Sequence, residues 1–285
     1  MLHGFTQSGP LFRLKTRALE KLLAKALAPA GLRPVLFYPT APLRLSARDV
    51  PGWDPAPSAG GADEPPEAYA WFHHDRAADT YRHLDAGVRA LAAAMRDATR
   101  GIGHGATATH GTQQQQGEGE GCAPVDGVIG FSMGGCMAGM LAAALEPHRA
   151  IPAPPSSSSS SSADWAALRA ANAHRPLAFA VEYSGFAARP ADLQWLYAPR
   201  LATPTLHYVG ALDTVVEEAR TRALAERCEG AVVVVHPGGH HVPVAREWVL
   251  PLAGFVKKCV EEREAEGEKE RERERVEGDH GGGMC

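Results

Sequence analysis

The chain contains a glycine–x–serine–x–glycine motif, Gly130-Phe131-Ser132-Met133-Gly134. An apolar run over residues 125–130 precedes the serine, and a segment with helical periodicity over residues 133–145 follows it. A serine on such a sharp turn from strand to helix is held with its hydroxyl exposed, and glycines stand where side chains would collide. The motif therefore predicts a nucleophilic serine. The alternative is a helix N-cap in which Ser132 only satisfies a free backbone amide.

A serine hydroxyl is a poor nucleophile at neutral pH unless a histidine takes its proton and an acid orients that histidine. Asp213 follows a predicted strand at residues 204–210, and His240 follows another at residues 231–236. The order Ser132, Asp213, His240 is the order of nucleophile, acid and base in the α/β-hydrolase fold. We therefore expect these three residues to act together.

Both partner roles have rivals in the sequence. His241 is adjacent to His240, although it would point elsewhere on the same turn. Glu182 lies at the end of an earlier predicted strand, where an acid is occasionally used. Asp213 has an ordinary alternative as the N-cap of the helix that follows it. We favour His240 as the base and Asp213 as the acid.

A tetrahedral oxyanion needs two aimed donors, usually backbone N–H groups, and one comes from the residue after the nucleophile, here Met133. The second should come from the loop after the first core strand. Residues 2–9 begin with the His-Gly pair that such loops carry. Phe5 or Thr6 would supply the amide, and we favour Phe5. The alternative is an ordinary turn into the next helix.

Short apolar runs alternate with amphipathic segments, and these elements must position the chemistry. Strands are predicted at residues 34–38, 125–130, 177–184, 204–210 and 231–236. Helices are predicted at residues 14–27, 81–98, 133–145, 216–227 and 245–260. Five strands interleaved with helices indicate an α/β fold, with a mostly parallel, doubly wound sheet and helices on both faces.

Three stretches cannot contribute to a core because their composition buries too little apolar surface. Residues 99–121 contain a glutamine run, residues 151–162 a serine run, and residues 261–285 alternate Glu with Arg and Lys. We therefore predict one domain over residues 1–260 with two low-complexity insertions. The charged tail that follows can form a solvated helix.

The 285 residues carry 29 Lys and Arg against 33 Asp and Glu, a formal net charge of −4. This balance offers no positive footprint for nucleic acid. No stretch approaches the ~20 apolar residues of a membrane-spanning helix, and the start lacks the pattern of a secretory signal. Five scattered cysteines predict neither a disulfide framework nor a zinc site. We expect a cytoplasmic protein, with the nucleus as a second compartment, that needs no metal or cofactor; its oligomeric state stays open.

Five ordered blocks of the chain resemble the FSH family of serine hydrolases. They are His3-Gly4-Phe5-Thr6-Gln7-Ser8-Gly9, Gly127-Val128-Ile129-Gly130-Phe131-Ser132-Met133-Gly134-Gly135, Tyr183-Ser184-Gly185-Phe186, Gly210-Ala211-Leu212-Asp213-Thr214-Val215-Val216 and His236-Pro237-Gly238-Gly239-His240-His241-Val242-Pro243. The resemblance implies a compact α/β-hydrolase that cleaves esters or thioesters of acyl chains without a metal. It implies Ser132 as nucleophile, Asp213 as acid and His240 as base.

Two features depart from that family. Only Met1 and Leu2 precede His3, where family members have several apolar residues. We therefore expect a truncated first strand and a native protein that carries a few more apolar residues before Met1. The two low-complexity insertions are foreign to the compact members, so the lid is not predicted.

The sequence thus predicts a serine hydrolase that cleaves carboxylic (acyl) esters through an acyl-enzyme intermediate. Its expected partners are small-molecule ester substrates. A thioesterase that releases acyl chains from a carrier would use the same three residues. A non-catalytic ligand-binding protein of the same fold is less favoured, because all three positions hold competent residues. Aromatic residues beyond the strand ends are expected to wall the acyl pocket. They are Trp71, Phe72, Phe186, Trp195 and Tyr197, together with Leu196.

Overall fold

The structure, a computed structural model, describes residues 1–50, 67–99, 124–153 and 161–281. Most of the two predicted insertions lies outside the described residues. The helices are α1 (Gly9–Leu27), α2 (Leu84–Thr99), α3 (Met133–Leu145), α4 (Ser161–Ala171), α5 (Glu218–Ala225) and α6 (Arg246–Gly281). The strands are β1 (Leu43–Arg44), β2 (Tyr69–Ala70), β3 (His73–Asp75), β4 (Thr80–Arg82), β5 (Gly127–Phe131), β6 (Phe179–Tyr183), β7 (Thr205–Gly210) and β8 (Val232–His236). Short 3₁₀ turns lie at Ala28–Ala30, Ala47–Asp49 and Ala191–Leu196.

The central sheet is parallel, in the order β5-β6-β7-β8. On the free side of β5, Leu2 forms a parallel bridge with Gly130. The Leu2 N–H donates to the carbonyl of Ile129 at 2.8 Å, and its own carbonyl accepts from the Phe131 N–H at 3.0 Å. The predicted α/β architecture is therefore confirmed, and the segment before the His-Gly pair lies beside the strand of the motif serine.

The prediction of a strand at residues 34–38 is wrong. This segment lies next to Met1, whose ammonium group donates to the carbonyl of Phe37 at 2.9 Å. A strand needs a ladder of backbone hydrogen bonds along its length. One bond to the end of a neighbouring segment does not make a ladder, and Val35 is exposed.

Helices cover both faces of the sheet because the buried strand residues alternate in direction. Val128 and Ala180 face α2, α3 and α4, whereas Ile129 and Val181 face α1 and α6. No helix within the described ranges is long and apolar enough to cross a membrane.

Helix α1 begins at Gly9, five residues before its predicted start at residue 14. The Ser8 hydroxyl accepts a hydrogen bond from the N–H of Leu11 at 3.3 Å, and Pro10 occupies the first turn. Both features favour a helix start, because they satisfy or remove amides that lack helical partners.

A buried ion pair ties the end of α3 to the segment before β7. Arg149 and Glu146 are each 2% exposed, and the Nη2 atom of Arg149 lies 2.6 Å from Oε2 of Glu146. Arg149 also donates to the carbonyls of Trp195 and Pro199, at 3.0 and 2.8 Å. Glu146 accepts from the N–H of Thr203 at 2.8 Å. Both charges are therefore satisfied, which a buried ion pair requires.

Helix α6 continues through most of the predicted charged tail. Its first half packs on the sheet through Val249, Leu252 and Val256. An ion pair between Arg263 and Asp126 follows. Beyond it, the polar side chains for which exposure is described are exposed or half-buried. The apolar contacts of α6 therefore end near Val260.

Deleting residues 264–285 is expected to shift the midpoint of thermal unfolding by less than about 2 °C, because this part of the sequence contains few apolar side chains. The measurement is thermal unfolding followed by circular dichroism. A longer deletion from residue 254 onward is the control. It removes the buried Val256 and Cys259 and should lower the midpoint by several degrees. A comparable drop with the shorter deletion would show that the charged part packs on the domain.

Candidate active site

Ser132 stands between β5 and α3 in a backbone conformation that residues with a side chain rarely adopt. Its φ is 56° and its ψ is −117°. Such a conformation costs on the order of 1–3 kcal/mol and persists only where the surrounding structure enforces it. The turn places the Ser132 side chain at the carboxyl edge of the sheet.

The two glycines of the motif are required by close backbone contacts. A Cβ atom on Gly130 would lie 2.1 Å from the carbonyl oxygen of Gly134. A Cβ atom on Gly134 would lie 2.2 Å from the carbonyl oxygen of Leu2. The loop after Leu2 also packs against the serine, since a Cβ atom on Gly4 would lie 3.3 Å from that of Ser132. The glycines thus bring the strand, the helix and the N-terminal loop together at Ser132.

His240 connects Ser132 to Asp213 through two hydrogen bonds. Its Nε2 atom lies 2.9 Å from Oγ of Ser132, and its Nδ1 atom lies 2.7 Å from Oδ2 of Asp213. An ionised carboxylate can only accept, so this geometry assigns the proton to Nδ1 and leaves Nε2 to accept from the serine hydroxyl. The imidazole also packs against Phe131, with ring centroids 4.7 Å apart. The structure thus brings together the three residues that the sequence singled out.

Asp213 is held in place by its own loop. The N–H groups of Val215 and Val216 both donate to its Oδ1 atom at 2.9 Å, while His240 occupies Oδ2. Burial alone would raise the pKa of Asp213, but the hydrogen bonds from His240 and from the loop lower that pKa below its usual value. The carboxylate therefore stays charged beside the imidazole, and it also caps the turn before α5.

His241 lies away from Ser132. Its side chain is exposed, and its ring stands edge-on to His236 with centroids 5.1 Å apart. The space beside Gly238 is filled by this ring, because a Cβ atom there would lie 2.3 Å from Cε1 of His241. Of the two adjacent histidines, the structure thus places His240 at the serine.

Glu182 does not take the position of the acid. Its side chain is fully buried beneath α3, where Oε1 lies 3.6 Å from the Cβ position of Gly139. The imidazole of His207 lies beside it, with 3.4 Å between Oε2 and Nδ1. Neither carboxyl oxygen has a hydrogen-bond partner among the described residues. Burial raises the pKa of Glu182 well above its usual value and so favours the neutral acid.

Two backbone amides beside Ser132 fit the predicted oxyanion donors. Within the described residues, neither Phe5 nor Met133 has an acceptor for its N–H. The N–H of Thr6 is taken, since it donates to the carbonyl of Tyr69 at 3.1 Å. This bond favours Phe5 over Thr6. Thr6 also has a φ of 66°, which turns the chain sharply after Phe5.

The loop that carries Phe5 is fixed by His3 and Trp71. His3 is fully buried, and its Nε2 atom accepts from the N–H of Ala41 at 2.9 Å. Trp71 donates from its indole nitrogen to the His3 carbonyl at 3.0 Å. Burial lowers the pKa of His3 to about 4, so its ring is neutral at pH 7. Neither positioning role is predictable from the local sequence, because the partners of both residues lie far along the chain.

Most of the aromatic residues predicted to wall an acyl pocket belong to the core instead. Trp71, Phe72 and Tyr197 are at most 7% exposed, and Leu196 is fully buried. Phe72 stacks on Tyr81 at 4.0 Å. Their surfaces are already covered by protein, so they cannot also contact an acyl chain in this arrangement. Phe186 and Trp195 remain half-buried.

Comparison with known proteins matches this arrangement to a family. The profile described as serine hydrolase (FSH1) matches residues 1–252. The chain is 31% identical over 245 residues to a Schizosaccharomyces pombe protein named dihydrofolate reductase, covering 85% of this chain and 43% of that protein. It thus spans less than half the length of that relative. It is 27% identical over 265 residues to "Family of serine hydrolases 2" of Saccharomyces cerevisiae, covering 90% of this chain and 96% of that protein.

Among solved structures, a variant of Arabidopsis thaliana SOBER1 superposes with a TM-score of 0.50 at 16% identity, covering 91% of this chain and 97% of that one. This likeness concerns the fold. The parallel sheet, the strained serine turn and the helices on both faces define an α/β-hydrolase. The match over residues 1–252 shows that the chain belongs to the FSH1 family of serine hydrolases, as the sequence resemblance predicted.

Replacing the buried acid, Glu182→Gln, is expected to remove a loss of stability that the wild-type protein shows as pH rises. Because burial raises the pKa of Glu182 in the folded protein above the 4.5 of a free carboxyl group, the unfolded state ionises first, and stability is lost as pH rises above 4.5. His207, whose folded pKa is about 4, adds its own pH dependence only below pH 6.5. Because glutamine does not titrate, the stability difference between the variant and the wild-type protein should grow with pH, by at most about 1.4 kcal/mol per pH unit.

The measurement is urea unfolding at intervals between pH 6.5 and 8.5, with Glu229→Gln on an exposed turn as the matched control. The wild-type protein and the control should lose stability with rising pH relative to Glu182→Gln. Parallel profiles for all three proteins would contradict this account of Glu182.

Proposed function

We propose that this protein hydrolyses carboxylic acyl esters through an acyl-enzyme on Ser132. The observation that carries the proposal is the continuous hydrogen-bonded chain from Ser132 Oγ through His240 to Asp213, with distances of 2.9 and 2.7 Å. Membership of a serine hydrolase family supports it. The strained backbone at Ser132 supports it as well, because strain of this kind is concentrated at functional sites.

In the acylation half, Ser132 Oγ attacks the ester carbonyl carbon while Nε2 of His240 takes the hydroxyl proton. The carbonyl π electrons move to oxygen and give a tetrahedral oxyanion. When this intermediate collapses, the bond to the leaving alcohol breaks, and His240 returns the proton to that alcohol. Asp213 keeps Nδ1 as the donor and stabilises the imidazolium that forms between the two proton transfers.

In the second half, water replaces the alcohol. His240 takes a proton from the water molecule as its oxygen attacks the acyl carbonyl of the ester on Ser132. Collapse of the second tetrahedral intermediate breaks the bond to Oγ, and His240 returns the proton to Ser132. The products are the carboxylic acid and the free enzyme.

The oxyanion of each intermediate is held by the N–H groups of Phe5 and Met133. Donors that are oriented before the reaction need no reorganisation as charge develops, and loss of a single one typically costs about 10² to 10³ in rate. His3, Trp71 and Gly4 keep the Phe5 loop against Ser132, so they act through the position of that amide.

The test compares three substitutions in one background. Ser132→Ala should abolish covalent labelling by a fluorophosphonate and lower kcat on a short 4-nitrophenyl ester by on the order of 10⁴ to 10⁶. His240→Ala should lose a comparable amount, because nucleophile and base work as a unit. His241→Ala is the matched control and should lose less than about threefold.

Circular dichroism of each variant checks that it is folded. Labelling of Ser132→Ala by the fluorophosphonate would contradict the assignment of the nucleophile. A larger loss for His241→Ala than for His240→Ala would contradict the assignment of the base.

A further inference from the structure

A concave site lies outside the hydrogen-bonded group of Ser132, His240 and Asp213. It is an open cleft of about 290 Å³ lined by His74, Arg76, Arg189 and Arg220. We call it the basic cleft. His74 and Arg76 come from the β3–β4 hairpin, Arg189 from the segment after β6, and Arg220 from α5. Segments far apart in sequence thus direct four basic side chains toward one cleft.

The basic cleft lies at the same edge of the sheet as Ser132. Arg220 is on the first turn of α5, just beyond the loop of Asp213. Its guanidinium lies 4.5 Å from the ring centroid of Phe186, which follows the carboxyl end of β6. Next to Phe186, the Cα atom of Gly185 lies 2.8 Å from the Cβ position of Gly135, on the first turn of α3 after Ser132. The segments of the cleft are therefore direct neighbours of the segments that hold the catalytic groups.

The charge in the cleft is only partly balanced. Asp79 supplies a carboxylate that contacts the cleft, and two basic groups share one of its oxygens. Oδ1 of Asp79 lies 3.1 Å from Nε2 of His74 and 3.5 Å from Nε of Arg189. Among the described residues, Arg76 and Arg220 form no ion pair with a carboxylate. Three guanidinium groups thus face one shared carboxylate, and the cleft keeps an excess of positive charge.

The basic groups are held by local contacts. A cation–π contact with the Phe186 ring, at 4.5 Å from its centroid, restrains the Arg220 guanidinium. On the hairpin, Oδ1 of Asp75 accepts from the N–H groups of Ala77 and Ala78 at 3.1 and 3.2 Å. These bonds fix the turn that carries Arg76. Less conformational entropy is therefore lost when an anion binds.

Guanidinium groups bind carboxylates and phosphates through paired, charge-assisted hydrogen bonds. We propose that the basic cleft binds an anionic group of the substrate, a carboxylate or a phosphate monoester, so that the enzyme selects acyl esters with a negative charge away from the scissile bond. This proposal rests on the proposed hydrolase function. It names a substrate class for that function, since the segments that line the cleft neighbour the segments that hold the catalytic groups.

The first experiment measures selectivity with matched ester pairs. 4-Nitrophenyl hexanoate, octanoate and decanoate are compared with the mono-4-nitrophenyl esters of the corresponding α,ω-diacids, which differ only by a terminal carboxylate. For at least one chain length, the wild-type enzyme should show a kcat/KM at least about tenfold higher for the charged ester. The preference should weaken between 0.05 and 0.5 M NaCl, because salt screens exposed charges.

The double variant Arg76→Gln/Arg220→Gln should reduce this ratio to about one. Arg222→Gln is the matched control: Arg222 is also on α5 and pairs with Glu218 at 2.6 Å, but it does not line the cleft. That variant should keep the wild-type ratio. A wild-type ratio near one at every chain length, or a ratio that the double variant leaves unchanged, would overturn the proposal.

The second experiment does not require turnover and separates the two anion chemistries. Isothermal titration calorimetry measures binding of hexyl phosphate and of hexanoate, with hexanol as the uncharged probe. At least one anion should bind the wild-type protein at least about tenfold more tightly than the double variant, and the stronger one identifies the preferred group. Equal binding by both proteins would overturn the anion site.

The two proposals fail in different ways. Absence of fluorophosphonate labelling and of ester hydrolysis, with anion binding that depends on Arg76 and Arg220, would refute the hydrolase function and support the anion site. Labelling and hydrolysis without charge selectivity or anion binding would refute the basic cleft alone.

Discussion

The first turn of α3 touches two other pieces of backbone, and these contacts leave no room for side chains. Gly130 and Gly134 meet across the serine turn, while Gly134 also lies against the carbonyl of Leu2. Close packing of this kind transmits position rigidly, because protein interiors are nearly incompressible. The distance from Ser132 to its partners is therefore set by backbone contacts. The loops that carry Asp213 and His240 need only bring their side chains to a point that is already fixed.

Buried charge in this molecule is treated in two contrasting ways. Glu146 and Arg149 are paired and receive further hydrogen bonds from the backbone, so the pair secures the segment before β7. Glu182 and His207 lie on neighbouring strands beneath α3, where burial raises the pKa of the acid well above its usual value and lowers the pKa of the imidazole to about 4. The first arrangement, a paired and hydrogen-bonded charge, holds the segment before β7 in one defined position. The second disfavours the charged carboxylate, because no hydrogen-bond donor among the described residues reaches the carboxyl group.

The elements that could be predicted from the sequence are those with a local signal. The four sheet strands are short apolar runs ended by polar residues or glycine, and Ser132, Asp213 and His240 follow three of them. The segment at residues 34–38 has the same local signal, but it has one hydrogen bond to Met1 in place of a ladder. Strand composition shows what can pair, whereas pairing depends on a neighbour that local composition does not reveal.

The aromatic residues and the basic cleft show a second limit. Trp71, Phe72 and Tyr197 follow strand ends, as ligand-binding residues often do, but their rings face inward and are covered. Arg76, Arg189 and Arg220 follow no periodic pattern in the sequence. They lie on three separate segments, which the fold brings to one cleft. Sequence position indicates the edge of the sheet at which a residue lies. It does not indicate whether the side chain points into the core or into a cleft.

Helix α6 starts near the loop of His240 and crosses the sheet, and its Arg263 meets Asp126 just before β5 begins. At about 1.5 Å per residue, the part beyond Arg263 extends roughly 27 Å from that contact. This part leaves the domain at the amino edge of the strands, opposite the mouth at Ser132. A fluorophore, a surface anchor or a fused module joined to it would therefore leave the approach of substrate unobstructed. The part of α6 beyond Arg263 is therefore a suitable site at which to immobilise the protein.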